Sequence, residues 1–411
     1  MKIKEKISFE EINGKTFKIR EIEALDNGKA AFTHFLNNSK NGISQKYIDE
    51  ATQHVKYALE NKYPENEISE TAANTALQYI LKFYENQAPF PAPVNPKFKF
   101  IDLFAGIGGF RLAMQNLGGK CVFTSEWDEQ AKKTYKANFG EVPFGDITKE
   151  ETKKFIPDNF DVLCAGFPCQ AFSIAGYQKG FADTRGTLFF DIEQIIEKHK
   201  PKVVFLENVK NLVSHDKGKT FSIIIEILEK KLGYKTFSQV LNSSTHANVA
   251  QNRERIFIVA FDPKQVQNYS KFEFPKPIEL TKTIRDFLET GKQEEIYYYK
   301  KDHQYYSELE KTMTSKDTVY QWRRVYAREN KSNLCPTLTA NMGAGGHNVP
   351  LIIDDFGIRK LTPKECFAFQ GYPVNKYLLP KIANSKLYMQ AGNSVTTLLI
   401  ERIANQIIKV L

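Results

Sequence analysis

The sequence predicts an α/β protein. Its centre is a doubly wound, mostly parallel sheet, joined by a smaller domain and preceded by an α-rich N-terminal extension. Three observations carry this reading. Apolar strands alternate with amphipathic helices from Phe98 to about residue 268. Residues 1–86 instead repeat apolar positions at helical spacing. Between them, QAPFPAPVNPK holds four prolines, a density that blocks both helix and central strand and reads as a stiff linker. The chain has 411 residues, 42% hydrophobic and 26% charged. That allows about two or three domains and a core that needs no disulfide or metal staple.

In the extension, Ile43, Tyr47, Ile48, Ala51, Val55, Ala58 and Leu59 place one helix. A second is expected over Ile68 to Tyr84. After the linker, KFKFIDLF is a short strand and FRLAMQNLG a helix. KCVFTSEWD and AKKTYKANF repeat the pair. FDVLCAGFP, KPKVVFLENV and RERIFIVAF are further buried strands, with TFSIIIEILEKKLG as a helix between the last two. The rhythm fades near residue 268, and regularity returns with an amphipathic helix from Leu398 to Val410. The expected division is residues 1–97 for the extension and linker, and 98–268 for the main domain, completed by 387–411. The smaller domain takes 269–386.

This composition excludes disordered, collagen-like and disulfide-scaffold chains. No apolar run approaches the ~20 residues that span a bilayer. The start, MKIKEKISFEEING, has no apolar core of a secretory signal. Five cysteines, an odd number without a CxxC pair, favour neither a disulfide framework nor a zinc site. A reducing cytoplasm is expected, with no membrane and no metal. The net charge is +9, yet residues 1–97 hold thirteen basic and thirteen acidic side chains. The whole excess therefore lies in residues 98–411, where it hints at a polyanionic partner.

Several strand ends carry groups suited to chemistry. Asp102-Leu103-Phe104-Ala105-Gly106-Ile107-Gly108-Gly109-Phe110 closes the first strand, and its glycines allow backbone to approach a ligand at a helix N-terminus. A merely tight turn would use the same glycines. The next strand ends in Glu126-Trp127, an acid placed for ribose hydroxyls and an aromatic that could stack on adenine or fill the core. Gly145-Asp146-Ile147 follows at a third strand end. Together they favour an adenosine-containing cofactor. Cys169, in Gly166-Phe167-Pro168-Cys169-Gln170, sits beyond a strand before a glycine-rich flap, with the exposure a nucleophile needs. Cys121 and Cys164 lie inside apolar strands, and Cys335 and Cys366 lack a catalytic setting. Glu207 ends a strand after four apolar residues, where desolvation would raise its pKa and suit it to donate a proton. A helix cap or surface acid is the alternative. Arg253 and Arg255 stand two apart, so on a strand they share a face and could clamp an oxygen-rich group.

Assembled, these motifs resemble the bacterial DNA cytosine-5 methyltransferases of type II restriction–modification systems. The likeness runs from about Phe98 to Leu411. DLFAGIGGF looks like the family's S-adenosylmethionine loop, GFPCQAFS the catalytic loop, ENV the acid strand and QNRERIF the arginine motif. RKLTPKECFAFQGYP and QAGNSV look like two late motifs. The resemblance implies a Rossmann-like, S-adenosylmethionine-dependent methyltransferase sheet and a target-recognition domain. It implies that a cytosine is flipped out of duplex DNA. Cys169 then attacks C6, Glu207 contacts N3, and Arg255 binds O2 with Arg253 supporting or sharing that role. Phe104, Ala105, Gly106, Gly108, Gly109 and Pro168 would line the cofactor site. Glu126 would take the ribose, Trp127 and Ile147 the adenine faces, and Asp146 its amino group. Asn393 and Ser394 would complete the pocket, so the C-terminal helix must return to the first domain. Arg185, Arg323, Arg324, Arg328, Thr337 and Thr339 would contact DNA.

Two places depart from the family pattern. His246-Ala247-Asn248-Val249-Ala250-Gln251 stands where a Gly-Ile/Val-Pro-Gln turn is common, and Ala391 replaces a common aromatic. The recognition segment interleaves Lys311, Lys316, Arg323, Arg324, Arg328 and Lys331 with Tyr320, Trp322 and Tyr326. Arginines can read guanine edges bidentately, while lysines mostly meet phosphate. The expected site is a G-rich palindrome of the GGNCC type. A monomer is expected too, with a cognate endonuclease that shares the site without binding this chain. Two other readings are a tRNA cytosine-5 methyltransferase and an inactive DNA-binding relative. The long recognition segment disfavours the first, and intact Cys169, Glu207 and Arg255 the second.

Overall fold

A computed structural model describes residues 3–10, 16–24, 27–38, 45–64, 66–168, 188–323, 325–330, 332–344 and 348–411. The extension begins with an antiparallel hairpin, β1 (Ile3–Glu10) and β2 (Thr16–Ala24). The α-rich reading omits it. Its signal is the two-residue alternation that sets Ile7 opposite Ile19 and Phe9 opposite Phe17. Three helices follow: α1 (Gly28–Asn38), α2 (Gln45–Lys62) and α3 (Glu70–Phe83). Ser69 caps α3 by accepting the Ala72 N–H at 3.1 Å. Phe32, Phe35, Ala51, Val55, Leu59 and Leu77 form the helices' own core.

The extension is not a separate module. Ala30, Ala31 and Tyr47 pack into the same core as Phe123, Phe144 and Phe155 of the main domain. The proline-rich stretch is not a spacer either. Phe90 donates its N–H to Asn138 O at 2.9 Å, and its ring rests between Phe139 and Tyr377. Prolines here fix an extended path along a surface that holds it.

The main sheet contains β3 (Phe98–Leu103), β4 (Gly119–Thr124), β5 (Val162–Gly166), β6 (Val203–Val209), β7 (Lys235–Asn242) and β9 (Glu254–Phe261). Between the last two lies a two-residue strand, β8 (Gln251–Asn252). The sheet order is β4-β3-β5-β6-β9-β7. The first four strands run parallel, and β9 is antiparallel to both its neighbours. The parallel strands carry almost unbroken apolar runs because both faces are covered. Covering helices include α4 (Gly109–Asn116), α5 (Glu129–Phe139), α6 (Leu188–His199) and α7 (Lys219–Glu226). Strand order reverses between β3 and β5, which opens a crevice at their carboxyl ends.

The smaller sheet joins β10 (Tyr320–Arg323), β11 (Tyr326–Glu329), β13 (Leu351–Ile353) and β14 (Ile358–Lys360), all antiparallel. Its core is Leu309, Met313, Tyr320, Trp322, Ala327, Leu351 and Ile358. Phe272, Ile284, Phe287, Leu338 and Met342 belong instead to the main core. The segment drawn at 269–386 thus includes chain that packs with the chemistry domain. Between these strands, β12 (Cys335–Pro336) returns to pair with β8. Helices α8 (Pro363–Ala368), α9 (Asn384–Asn393) and α10 (Thr397–Ile408) then close the main domain. As expected, the last helix returns to α4, where Asn116 donates to Glu401 at 2.7 Å. No helix among the described residues is long and apolar enough to cross a membrane.

Candidate active site and cofactor cradle

The crevice has two halves. In the first, the loop after β3 turns with Phe104, Gly106 and Gly108 in the left-handed region, at φ of 54°, 55° and 83°. Its Gly106 N–H donates to Glu126 Oε2, and the Asp128 N–H to Glu126 Oε1, both at 2.7 Å. These bonds fix the carboxylate at the end of β4, only 8% exposed. Burial raises its pKa, against the pull of those N–H groups. The Glu126 N–H donates to Phe144 O, and two and three residues on stand Asp146 and Ile147. Asp146 Oδ1 accepts the Thr148 N–H at 2.9 Å, Ile147 is buried, and Trp127 is 78% exposed beside them.

The floor of this half is polar and unsatisfied. Ser125 Oγ has no hydrogen-bond partner among the described residues, and the Asp102 oxygens face the Arg111 N–H without a well-formed hydrogen bond. Burial raises the Asp102 carboxyl to about 8. Above the loop, a side chain built on Gly106 would meet no atom within 4 Å. Open space lined by backbone, over buried polar atoms, suits a ligand that brings its own hydroxyls and amine, as S-adenosylmethionine does.

Chain from far along the sequence closes the cradle. A Cβ on Gly109 would lie 2.6 Å from Val395 Cγ2 and 2.8 Å from the Tyr372 hydroxyl, so only glycine admits that segment. Tyr372 and Ser394 share a hydrogen bond between hydroxyls at 2.7 Å. Tyr377 donates to Ile107 O inside the loop. Ser394 is buried, its Oγ 3.5 Å from where a Cβ on Gly109 would lie, and Asn393 next to it is exposed. Tyr372 falls within the late motif RKLTPKECFAFQGYP and Tyr377 just beyond it, and neither is given a role from the sequence. Only the fold shows which loop they grip.

The second half is built on β5 and β6. Gly166 stands in register with Glu207, three residues before Cys169. Asn208 donates to Phe167 O at 2.8 Å and so anchors the chain leading to exposed Pro168. Cys169 and Arg185 lie outside the described residues. The other four cysteines are buried, and burial raises each of their thiols. Arg255 Nε faces Glu207 Oε1 at 3.0 Å, with the two side chains 14% and 10% exposed. Glu207 is therefore held by an arginine rather than sitting among apolar groups alone.

Arg253 does not form the shared-face clamp with Arg255. It occupies the break between β8 and β9 and is 2% exposed. Its guanidinium donates to Leu338 O at 2.9 Å, to Gly392 O at 3.3 Å and to Ser394 O. Its two terminal nitrogens hold three backbone carbonyls, while its Nε has no partner among the described residues. It ties the segment entering from the smaller domain to the one that completes the cradle. Nearby, Asn248 adopts φ of 51°, a conformation asparagine tolerates better than most residues. It thus supplies the turn a glycine commonly makes there.

Toward the smaller domain, Arg323 and Arg328 are exposed and share the Gln321 Oε1 acceptor at 2.9 and 3.3 Å. Arg324 and Lys331 lie outside the described residues. Thr339 is exposed, whereas Thr337 already donates to Asn252 O at 2.6 Å. Of the interleaved aromatics, Tyr320 and Trp322 are core, and Trp322 stacks on Tyr305 at 4.2 Å. Only Tyr326 faces out, beside Val325, at 50% and 80% exposure. Strand alternation explains the split: one face of β10 packs inward while its arginine does not.

Residues 98–409 match the model of the C-5 cytosine-specific DNA methylase family. The chain is 51% identical over 311 residues to the type II methyltransferase M.Bsp6I of Bacillus sp. (strain RFL6), covering 75% of this chain and 97% of that protein. It is 37% identical over 408 residues to the type II methyltransferase M.MspI of Moraxella sp, covering 97% and 89%. In fold it is similar to the S. pombe Dnmt2 methyltransferase, with a TM-score of 0.58 at 18% identity, over 76% of this chain and 99% of that one. The chain belongs to the C-5 cytosine-specific DNA methylases: it is a type II DNA cytosine-5 methyltransferase that uses S-adenosylmethionine.

Proposed function

We propose that Cys169, Glu207 and Arg255 carry the methyl transfer, and that the cradle beside them holds the cofactor. The observation that supports this most is the Glu207–Arg255 pair at the sheet edge, in register with the strand that leads to Cys169. A cytosine leaves the DNA stack, since its reactive carbons cannot otherwise be reached. The Cys169 thiolate adds to C6. Glu207 holds a proton at N3, so the electron pair displaced from the 5,6 bond is stabilised and C5 becomes nucleophilic. Arg255 binds O2. S-adenosylmethionine supplies the methyl group for C5. Loss of the C5 proton then restores the double bond and expels the thiolate.

Phe104, Ala105, Gly106, Gly108, Gly109 and Pro168 would line the cofactor. Glu126 would bind the ribose hydroxyls, Trp127 and Ile147 the adenine faces, Asp146 the adenine amino group, and Asn393 and Ser394 the remaining side. Arg323, Arg324, Arg328, Thr337 and Thr339, from a recognition segment spanning 269–386, would meet DNA, and so would Arg185 from the chain after Cys169. The target would be a G-rich palindrome of the GGNCC type. The enzyme would act as a cytoplasmic monomer, and a cognate endonuclease would share its site without binding it.

Cys169→Ala should abolish methylation, and trapping on 5-fluorocytosine DNA, while DNA binding persists. Residual methyl transfer by that variant would sink the assignment. Glu207→Gln should lower kcat by at least about 100-fold, the usual scale of a positioned proton donor. Bisulfite sequencing of DNA from cells expressing the chain would give the site.

A further inference from the structure

Residues before Phe98 lie outside the family match. Yet their side chains grip the segment that leads into the adenosine half of the cradle. Asn27 Oδ1 accepts the Gly145 N–H at 3.2 Å, directly before Asp146. Thr33 Oγ1 accepts the Val142 N–H at 3.0 Å. The His34 ring lies 4.8 Å from that of Phe144, and its Nε2 stands 3.5 Å from Glu141 Oε2. The Tyr47 ring stacks on Phe144, and its hydroxyl lies 2.8 Å from Phe155 O.

What is gripped reaches both candidate adenosine ligands. Phe144 pairs by its backbone with the end of β4, and its carbonyl accepts the Glu126 N–H. Gly145 carries straight into Asp146. Glu141 meets Arg111 of α4 through two bonds, at 2.6 and 3.1 Å, with both side chains fully buried. Since α4 starts in the glycine loop, Glu141 joins α1 to that loop as well.

We propose that the N-terminal extension is a working part of the cofactor pocket, in which Asn27, Thr33, His34 and Tyr47 position residues 141–147 so that Glu126 and Asp146 meet the adenosine. These four are positioning residues. The inference rests on the assignment of Glu126 and Asp146 to the adenosine. It predicts that the extension governs cofactor affinity and leaves DNA affinity alone.

The test uses the full chain and S-adenosylhomocysteine, titrated by calorimetry. Asn27→Ala should raise its Kd about five- to tenfold, the scale of one hydrogen bond. Exchange of the amides in a peptide spanning 141–148 should quicken by a similar factor without ligand. DNA Kd and kcat at saturating S-adenosylmethionine should stay within twofold. Asn27→Asp keeps the acceptor for Gly145 and should restore both readouts; Thr33→Val, losing a second acceptor, should repeat the defect. Asp146→Ala serves as the reference. Normal binding by Asn27→Ala and Thr33→Val beside weakened binding by Asp146→Ala overturns the inference alone. Normal binding by Asp146→Ala removes the adenosine assignment, and the inference with it. A parallel fall of DNA affinity and kcat in Asn27→Ala means a general structural role and also overturns it.

Discussion

Asp102 is the clearest case of a residue whose surroundings set its chemistry. It stands near the end of β3 beneath the glycine loop, facing the Arg111 N–H without a well-formed hydrogen bond to either oxygen. Burial raises its carboxyl to about 8, whereas the unfolded chain ionises it near ~4. The folded value lies above the unfolded one. Its contribution to stability is therefore full below about pH 4 and is lost as pH climbs toward 8. Asp102→Asn keeps the shape and cannot ionise. From pH 5 to pH 8 the variant without cofactor should gain a few kcal/mol on the wild type, at ~1.4 kcal/mol per unit. Denaturant titrations of both proteins check this, and parallel curves would refute it. Single residues were unevenly legible in the sequence. That Glu126, Glu207 and Arg255 stand at strand ends was legible, because each follows or enters an apolar run. The Arg253 role was not, because its three carbonyl partners lie 85, 139 and 141 residues away. Asn248 looked like a departure, yet asparagine tolerates the left-handed turn found there.

Among elements, periodicity located the βα units and the last helix, which starts at Thr397 against the Leu398 expected. It missed the β1–β2 hairpin, whose alternation is broken by charged residues, and it misread the proline-rich stretch. Proline reports only what the backbone cannot do, and Phe90 decides where the segment docks. The contact between α9 and the turn at Ala340–Gly343 was equally hidden. A Cβ on Gly392 would lie 2.1 Å from the Thr339 carbonyl carbon, and backbone cannot swing aside as a side chain can. Gly392→Ala should destabilise the protein by about 1–3 kcal/mol, as overpacking does. The midpoint of urea unfolding measures this; an unchanged midpoint would mean that the two elements separate freely.

At the scale of the molecule, charge divides the chain where packing does not. The neutral extension shares a core with the basic body through Ala30, Ala31 and Tyr47. Deleting residues 1–86 would uncover Phe144 and Phe155 and strip His34 from Glu141. Each large apolar side chain exposed costs roughly 1.5–3 kcal/mol. The truncated chain should therefore melt well below the full one, with a loss of several kcal/mol. Calorimetric scans compare them, and equal melting temperatures would show that the extension folds apart from the body.

The tyrosine that grips the glycine loop also sets a timetable. Tyr377 is made 270 residues after Ile107, whose carbonyl it holds. At about 5–20 residues per second, a ribosome needs roughly 15–60 s to cover that distance. Throughout that interval the nascent loop lacks its clasp. A half-made chain therefore has no finished cradle, and methylating competence arrives late in synthesis rather than growing with length.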